Sequence, residues 1–262
     1  MGRIIMVASG KGGTGKTTTA ANLGAALSMS GFSTVLVDMD IGLRNLDIAL
    51  GLESNIVYDA IDAIEGRCSF DDVLIKHSLY ENLYFIGAPQ TRDIGEVDEE
   101  KTVEFWERIK NRFDYCLIDA PAGIVGCGFD YAIKGCESAI IVTLAQITAL
   151  RDADRAISVM ENNNIEDIRL IVNRVRPEMI SKGIMMNVDE CMDILSIPML
   201  GIVPEDEELI AASLKGTLAV SDENSMAGKA FLNISRRICG ESVPILKMEK
   251  KSSFLKQLLG RR

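Results

Sequence analysis

Read for hydrophobic and polar periodicity, the chain divides into short apolar runs separated by helical stretches. The runs are Arg3-Ile4-Ile5-Met6-Val7-Ala8, Thr34-Val35-Leu36-Val37-Asp38, Glu81-Asn82-Leu83-Tyr84-Phe85-Ile86, Tyr115-Cys116-Leu117-Ile118-Asp119, Ser138-Ala139-Ile140-Ile141-Val142-Thr143 and Ile168-Arg169-Leu170-Ile171-Val172-Asn173. Most are continuous rather than alternating and rich in β-branched residues, as strands covered on both faces are. Between them, residues 19–29 are rich in Ala and Leu, and 98–113 set Val103, Phe105, Trp106 and Ile109 among acids and bases at helical spacing. This predicts an α/β fold, a mostly parallel sheet with helices on both faces, in which Trp106 belongs to the core. Ligands of such sheets bind beyond the carboxyl ends of the strands.

The pattern predicts one domain over 1–240. From 241 to 249 the periodicity lapses and Pro244 breaks any helix, so this stretch reads as a linker. Residues 250–262 then place Phe254, Leu255, Leu258 and Leu259 on one helical face, with Lys256 and other cations around it.

Composition adds limits. The apolar share of 47% and charged share of 25% are those of a soluble globular protein. No apolar run approaches the roughly 20 residues that span a bilayer. The start, Met1-Gly2-Arg3-Ile4-Ile5-Met6, lacks a signal-peptide core, and Met6 stands where myristoylation needs Ser or Thr, so a cytoplasmic location is expected. The six cysteines have neither disulfide nor zinc spacing, and His77 has no nucleophile beside it. Net charge is −10, but the last sixteen residues carry six bases and one acid, leaving everything before them at −15. An acidic body argues against nonspecific nucleic-acid binding, whereas a cationic amphipathic end suits an anionic membrane surface.

The chemistry centres on Gly10-Lys11-Gly12-Gly13-Thr14-Gly15-Lys16-Thr17-Thr18. It matches the P-loop pattern G-x-x-x-x-G-K-[ST] between an apolar run and a helical stretch, the context the motif requires. Its glycines let successive N–H groups face phosphate oxygens, and the following helix start favours anions. Lys16 is the cation for the β- and γ-phosphates, and the Thr17 hydroxyl is placed for Mg²⁺. Asp38, Asp40 and Asp119 end or follow runs that neighbour the loop in such a sheet, so Asp38 and Asp119 are further candidates for Mg²⁺, Asp119 through water.

The second lysine, Lys11, is not part of the general motif. With it, the loop resembles the deviant Walker A loop of the MinD/ParA family of ATPases. Asp40-Ile41-Gly42-Leu43-Arg44-Asn45-Leu46-Asp47, Gly51-Leu52-Glu53, Val57-Tyr58-Asp59 and Gln90-Thr91-Arg92-Asp93 resemble the MinD branch of that family. The resemblance implies a switch that dimerises on Mg-ATP, with Lys11 reaching the partner's phosphates, Asp40 positioning the hydrolytic water, and residues from Asp38 and from Ala120 acting as two switch segments. Gly123 in the second would offer its N–H to the γ-phosphate. Asn173 resembles the family's base-reading Asn, and Pro204-Glu205-Asp206 the loop that closes over adenine; without these two matches ATP and GTP are not distinguished.

Arg151-Asp152-Ala153-Asp154-Arg155 matches the family's regulator-facing helix, so the resemblance makes Asp152 a contact for a MinC-like division inhibitor and a MinE-like regulator. An exposed charged helix face is the alternative reading of the same residues. Ala145-Gln146 stands where the family commonly has Pro-Glu. The tail resembles the family's membrane-targeting sequence and implies a protein peripheral on the cytoplasmic face of the cell membrane. Burying its Phe and three Leu gains at most about 6–12 kcal/mol, and each cation near an anionic leaflet adds about 1 kcal/mol. Ordering about eight residues costs about 12 kcal/mol, so one tail binds marginally and two in a dimer gain about 10²–10⁴ in avidity. The implied function is septum placement. A partition ATPase and a flagellar-number regulator are the alternatives; an iron–sulfur reductase would need a second cysteine to accompany Cys127.

Overall fold

The computed structural model describes residues 1–41, 44–89, 98–124 and 126–246. The tail expected to form a helix, with Phe254, Leu255, Lys256, Leu258 and Leu259, lies outside them, as do the end of the linker and the Gln90-Thr91-Arg92-Asp93 string. In chain order the strands are β1 (Arg3–Ala8), β2 (Thr34–Asp38), β3 (Ile75–Lys76), β4 (Leu83–Ile86), β5 (Tyr115–Asp119), β6 (Ser138–Leu144), β7 (Asp167–Val175) and β8 (Met199–Pro204). They form one sheet in the order β3-β4-β2-β5-β1-β6-β7-β8, parallel throughout except for the β3–β4 pair at the edge.

The helices are α1 (Lys16–Met29), α2 (Leu46–Leu50), α3 (Ala60–Glu65), α4 (Glu99–Arg112), α5 (Cys127–Gly135), α6 (Ile147–Asn162), α7 (Pro177–Ile180), α8 (Val188–Leu195), α9 (Glu207–Leu214) and α10 (Met226–Ile238). A 3-10 turn spans Ala219–Ser221. Strand alternation splits the interior in two. Along β1, Ile4, Met6 and Ala8 join the core formed with α4, α5, α6 and α8, whereas Ile5 and Val7 join that formed with α1, α2 and α10. This is why the strands read as continuous apolar runs: each residue has a buried face to fill.

Two expectations change. β8 is not among the runs read as strands, and Pro204, placed by resemblance in a loop, ends it at the sheet edge; α10 crosses β8 so closely that a Cβ at Gly201 would lie 2.4 Å from Ile234 Cγ1. Val103, assigned to the buried face of α4, is 47% exposed, and Thr102 takes its place inside. Trp106 is buried as expected and donates its indole N–H to the Tyr131 carbonyl at 3.0 Å.

His77 is a buried tie rather than a catalytic group. Its Nδ1 accepts from the backbone N–H of Leu79 (3.0 Å) and Tyr80 (3.3 Å), which leaves Nε2 to donate to the Leu50 carbonyl at 3.2 Å. Burial lowers its pKa below the usual 6.5. As pH falls through 6.5 the unfolded chain takes up a proton that the folded state refuses, so this residue's contribution to stability declines from about pH 6.5 down to its folded pKa and is complete above. Melting curves at pH 7.5 and 5.5 should therefore show a larger acid-side loss for the parent than for His77→Gln; identical losses would contradict the tie.

Candidate nucleotide site

β1 lies near the middle of the sheet between β5 and β6, so the Gly10–Thr18 loop emerges at its carboxyl edge. Register does the rest: Val7 pairs with Asp119, and Asp38 pairs with Asp119, which sets the two acids side by side next to the loop. The loop's path is held by close approaches. A Cβ at Gly10 would sit 2.0 Å from the Asp152 carbonyl oxygen on α6, and one at Gly15 would sit 2.2 Å from Asn173 Nδ2. Gly15 also has φ 92, a left-handed conformation that L side chains rarely adopt. α1 begins at the next residue with no side chain capping its first turn, so those N–H groups remain for an anion.

Lys16 is buried, and its ammonium donates to Asp119 Oδ1 at 2.8 Å. Burial raises the Asp119 carboxyl above its ordinary value, with Lys16 and the nearby Thr17 hydroxyl acting in the other direction. Its second oxygen, Oδ2, is buried with no hydrogen-bond partner among the described residues. Asp38 is pushed up to about 7, first by burial and then by Asp119, even though its Oδ1 accepts from Asp40 N (2.8 Å) and its Oδ2 from Leu46 N (3.3 Å). Those two bonds tie the segment that follows β2 to the sheet. Asp40, also buried, is raised by burial and held down by Lys16.

Three acids therefore surround one ammonium, and the second oxygen of Asp119 is buried without a partner. The donor set fits Mg²⁺: a hydroxyl at Thr17 and the free oxygen of Asp119 are hard ligands, and Asp38 stands beside them.

The remaining predicted residues fall around this centre. Lys11 is half-buried, and its carbonyl accepts from the Ser9 hydroxyl at 2.9 Å. Gly12 and Gly13 are exposed, Thr14 is buried with an unpartnered hydroxyl, and Thr18 is half-buried on α1. The segment that follows β5 approaches the loop at Gly12, where a Cβ would lie 3.8 Å from the Ala122 methyl, and Gly123 follows with φ 100 and open space around it. Asn173 donates to the Thr14 carbonyl at 2.8 Å and accepts from Arg174 N at 2.9 Å, which leaves one N–H and one lone pair on its amide.

Beyond Asn173, at the carboxyl ends of β7 and β8, a cleft of about 630 Å³ is lined by Arg176, Pro177, Pro204, Glu205, Asp206 and Met226, among others. Asp206 binds Ser225 Oγ and Ala227 N, both at 2.8 Å, and Glu208 N at 3.3 Å, so it joins the starts of α9 and α10. Burial works to raise its pKa, but these bonds leave it below the ordinary value. Arg176, which sequence reasoning missed, pairs with Glu205 across the cleft floor. No local signal marks it, because the contact arises from the β7–β8 pairing. Arg44, also missed, holds Asp47 at 2.9 Å within the first switch segment.

On α6, Asp152 is half-buried while Arg151, Asp154 and Arg155 are exposed. Its contact with Gly10 places this helix directly against the phosphate loop. Ala145 is buried, and Gln146 starts α6 without capping it through its side chain.

With this geometry in view, comparison with known proteins is direct. The family described as "CobQ/CobB/MinD/ParA nucleotide binding domain" matches residues 5–219. The septum site-determining protein MinD of Synechocystis is 47% identical over 94% of this chain and 92% of its own. In the MinC:MinD cell division protein complex of Aquifex aeolicus, a chain 40% identical superposes with TM-score 0.87, covering 94% of this chain and 98% of that one. The Pyrococcus horikoshii MinD complexed with Mg-ADP is 29% identical with TM-score 0.80, covering 91% of this chain and 96% of its own.

Proposed function

Since the chain belongs to the MinD/ParA family of nucleotide-binding ATPases, in its septum site-determining MinD branch, we propose that it is an Mg-ATP switch that dimerises, holds the membrane and there recruits an inhibitor of division. The observation that carries this reading is the buried Lys16–Asp119 contact with one Asp119 oxygen unpartnered beside it. Held by Asp119 beside the loop, the ammonium is within reach of β- and γ-phosphates bound there. On ATP binding it exchanges one anion for another.

In this reading Gly10 to Thr18 wrap the phosphates with backbone N–H groups, and Thr17, Asp38 and Asp119 are the residues that would hold Mg²⁺. When bound, the ion neutralises charge on the transferred phosphoryl group. Asp40 orients the attacking water, and Gly123 offers its N–H to the γ-phosphate. Lys11 crosses to the phosphates of a second copy. Asn173 keeps the N–H and lone pair needed to read one edge of adenine, and Pro204, Glu205 and Asp206 close the cleft around it. The Mg-ADP bound to the Pyrococcus relative supports the cofactor pair.

The MinC in the Aquifex complex supports a MinC-like partner for this chain, with Asp152 and its exposed neighbours on α6 as the contact; a MinE-like regulator would compete there. The charge segregation of the sequence supports peripheral attachment through the tail, and among the described residues no helix is long and apolar enough to cross a membrane. Sedimentation with anionic vesicles should pull down the protein with ATP and little of it with ADP. Equal binding with both nucleotides would refute the coupling.

A further inference from the structure

α10 ends at Ile238, and the chain then reverses at Gly240, whose φ is 87. The six residues that follow have no regular structure, yet they are fastened to the body. Arg237 Nε donates to the Val243 carbonyl at 2.8 Å, one terminal nitrogen donates to the Pro244 carbonyl at 2.7 Å, and the other donates to the Leu200 carbonyl at 2.9 Å. All three guanidinium nitrogens thus serve backbone oxygens, two on the departing segment and one on β8. Neighbouring Arg236 pairs with Glu241 at 2.7 Å, and Glu241 N donates back to the Arg236 carbonyl at 3.0 Å. The close crossing of α10 over Gly201 is what brings Arg237 within reach of Leu200.

We propose that Arg237 is a clip that converts residues 241–246 from a free linker into a strap, so that the basic amphipathic tail works from a fixed point at the amino end of β8. This inference rests on the membrane reading above. Leu200 stands at the start of β8, and Arg3 at the start of β1 donates to the Ile238 carbonyl at 2.9 Å, so the strap leaves from the sheet edge opposite the phosphate loop. A six-residue strand separates the two edges by about 20 Å. A nucleotide at the loop would therefore not touch the strap, and in this reading it acts on the tail by bringing two bodies together. A planar, five-donor guanidinium suits a clip on three carbonyls, which an ammonium could not reproduce.

The strap sets how many residues separate the tail from the body. From Pro244, the last residue the guanidinium holds, to Phe254 is ten residues, whereas from Ile238 it is sixteen. Effective concentration falls as about the 3/2 power of that length, so unclipping should weaken the second tail's capture about twofold.

The test compares the full-length parent, Arg237→Gln, and a variant with eight Gly/Ser residues inserted after Leu246. Each is read by limited proteolysis within 241–246, by ATP-dependent dimerisation in solution and by binding to anionic vesicles with ATP. Expected are faster cleavage within 241–246 in Arg237→Gln alone, unchanged dimerisation in all three, and about twofold weaker vesicle binding in both variants. Rapid cleavage of 241–246 in the parent, or a cleavage rate that Arg237→Gln leaves unchanged, overturns the clip. Faster cleavage with unchanged vesicle binding, or an insertion without effect, overturns the positioning role even if Arg237→Gln folds poorly. A parent that dimerises with ATP yet ignores vesicles refutes the membrane reading and the positioning role with it, while proteolysis still reads the clip.

Discussion

Lys16→Ala should abolish Mg-ATP-dependent dimerisation: light scattering at saturating ATP should report a monomer where the parent gives a dimer. Lys16 is buried, and its partner Asp119 is fully buried, with Asp38 and Asp40 close enough to feel both charges. Removing the ammonium leaves three carboxyls facing the phosphates with no compensating cation in the loop's floor. Breaking a buried ion pair from one side costs about 3–5 kcal/mol, a loss of roughly 10²–10⁴ in affinity when the same ammonium serves the triphosphate. In the free protein the cost is smaller, because Asp119 is already pushed toward its neutral form by burial and can take a proton. The variant should therefore fold, with a melting temperature near the parent's. A full ATP-dependent dimer would show that Lys16 is dispensable and would remove the basis of the proposed switch.

Asp40→Ala should give the opposite phenotype, an ATP-bound dimer that does not turn over. The two acids of the first switch segment do different work. Asp38 gives both oxygens to backbone N–H groups and so fixes the segment, whereas Asp40 contributes its N–H to that bond and keeps its carboxylate for the site. Burial holds the Asp40 carboxyl above its ordinary value, which moves it toward the range where a base takes a proton from water. Loss of a positioned base costs about 10²–10⁴ in rate, so phosphate release should fall by at least about a hundredfold while ATP still protects the protein from thermal unfolding. Hydrolysis at the parent rate would place the water-positioning group elsewhere.

Both predictions concern residues that sequence reasoning could find, and the reason is local. A P-loop is a contiguous string whose glycines and lysine must follow one another for the backbone to wrap a phosphate. An acid at the end of a buried apolar run is equally visible, because parallel strands bring all such ends to one edge. The order of strands was not visible. Nothing in the string around Tyr115–Asp119 says that β5 lies between β1 and β2, yet that placement is what puts Asp119 against Lys16, 103 residues away.

The same division holds elsewhere in the chain. Nothing beside Gly201 in the sequence tells of the helix that passes over it from later in the chain. His77 carried no sign of its partners, since Leu50 is 27 residues distant and the two N–H groups it accepts depend on the turn it makes. Residues 241–246 read as a linker because Pro244 and the lapse of periodicity describe only their own conformation, while the guanidinium that holds them acts from α10 and β8. Periodicity and motif spacing determined the α/β class, the phosphate-loop motif and the acids at the strand ends beside it, since each depends on neighbours along the chain. The tertiary structure alone decided which acid meets the lysine, what holds the segment after β2 and where residues 241–246 are fastened, because those contacts join residues that only the folded sheet brings within hydrogen-bonding distance.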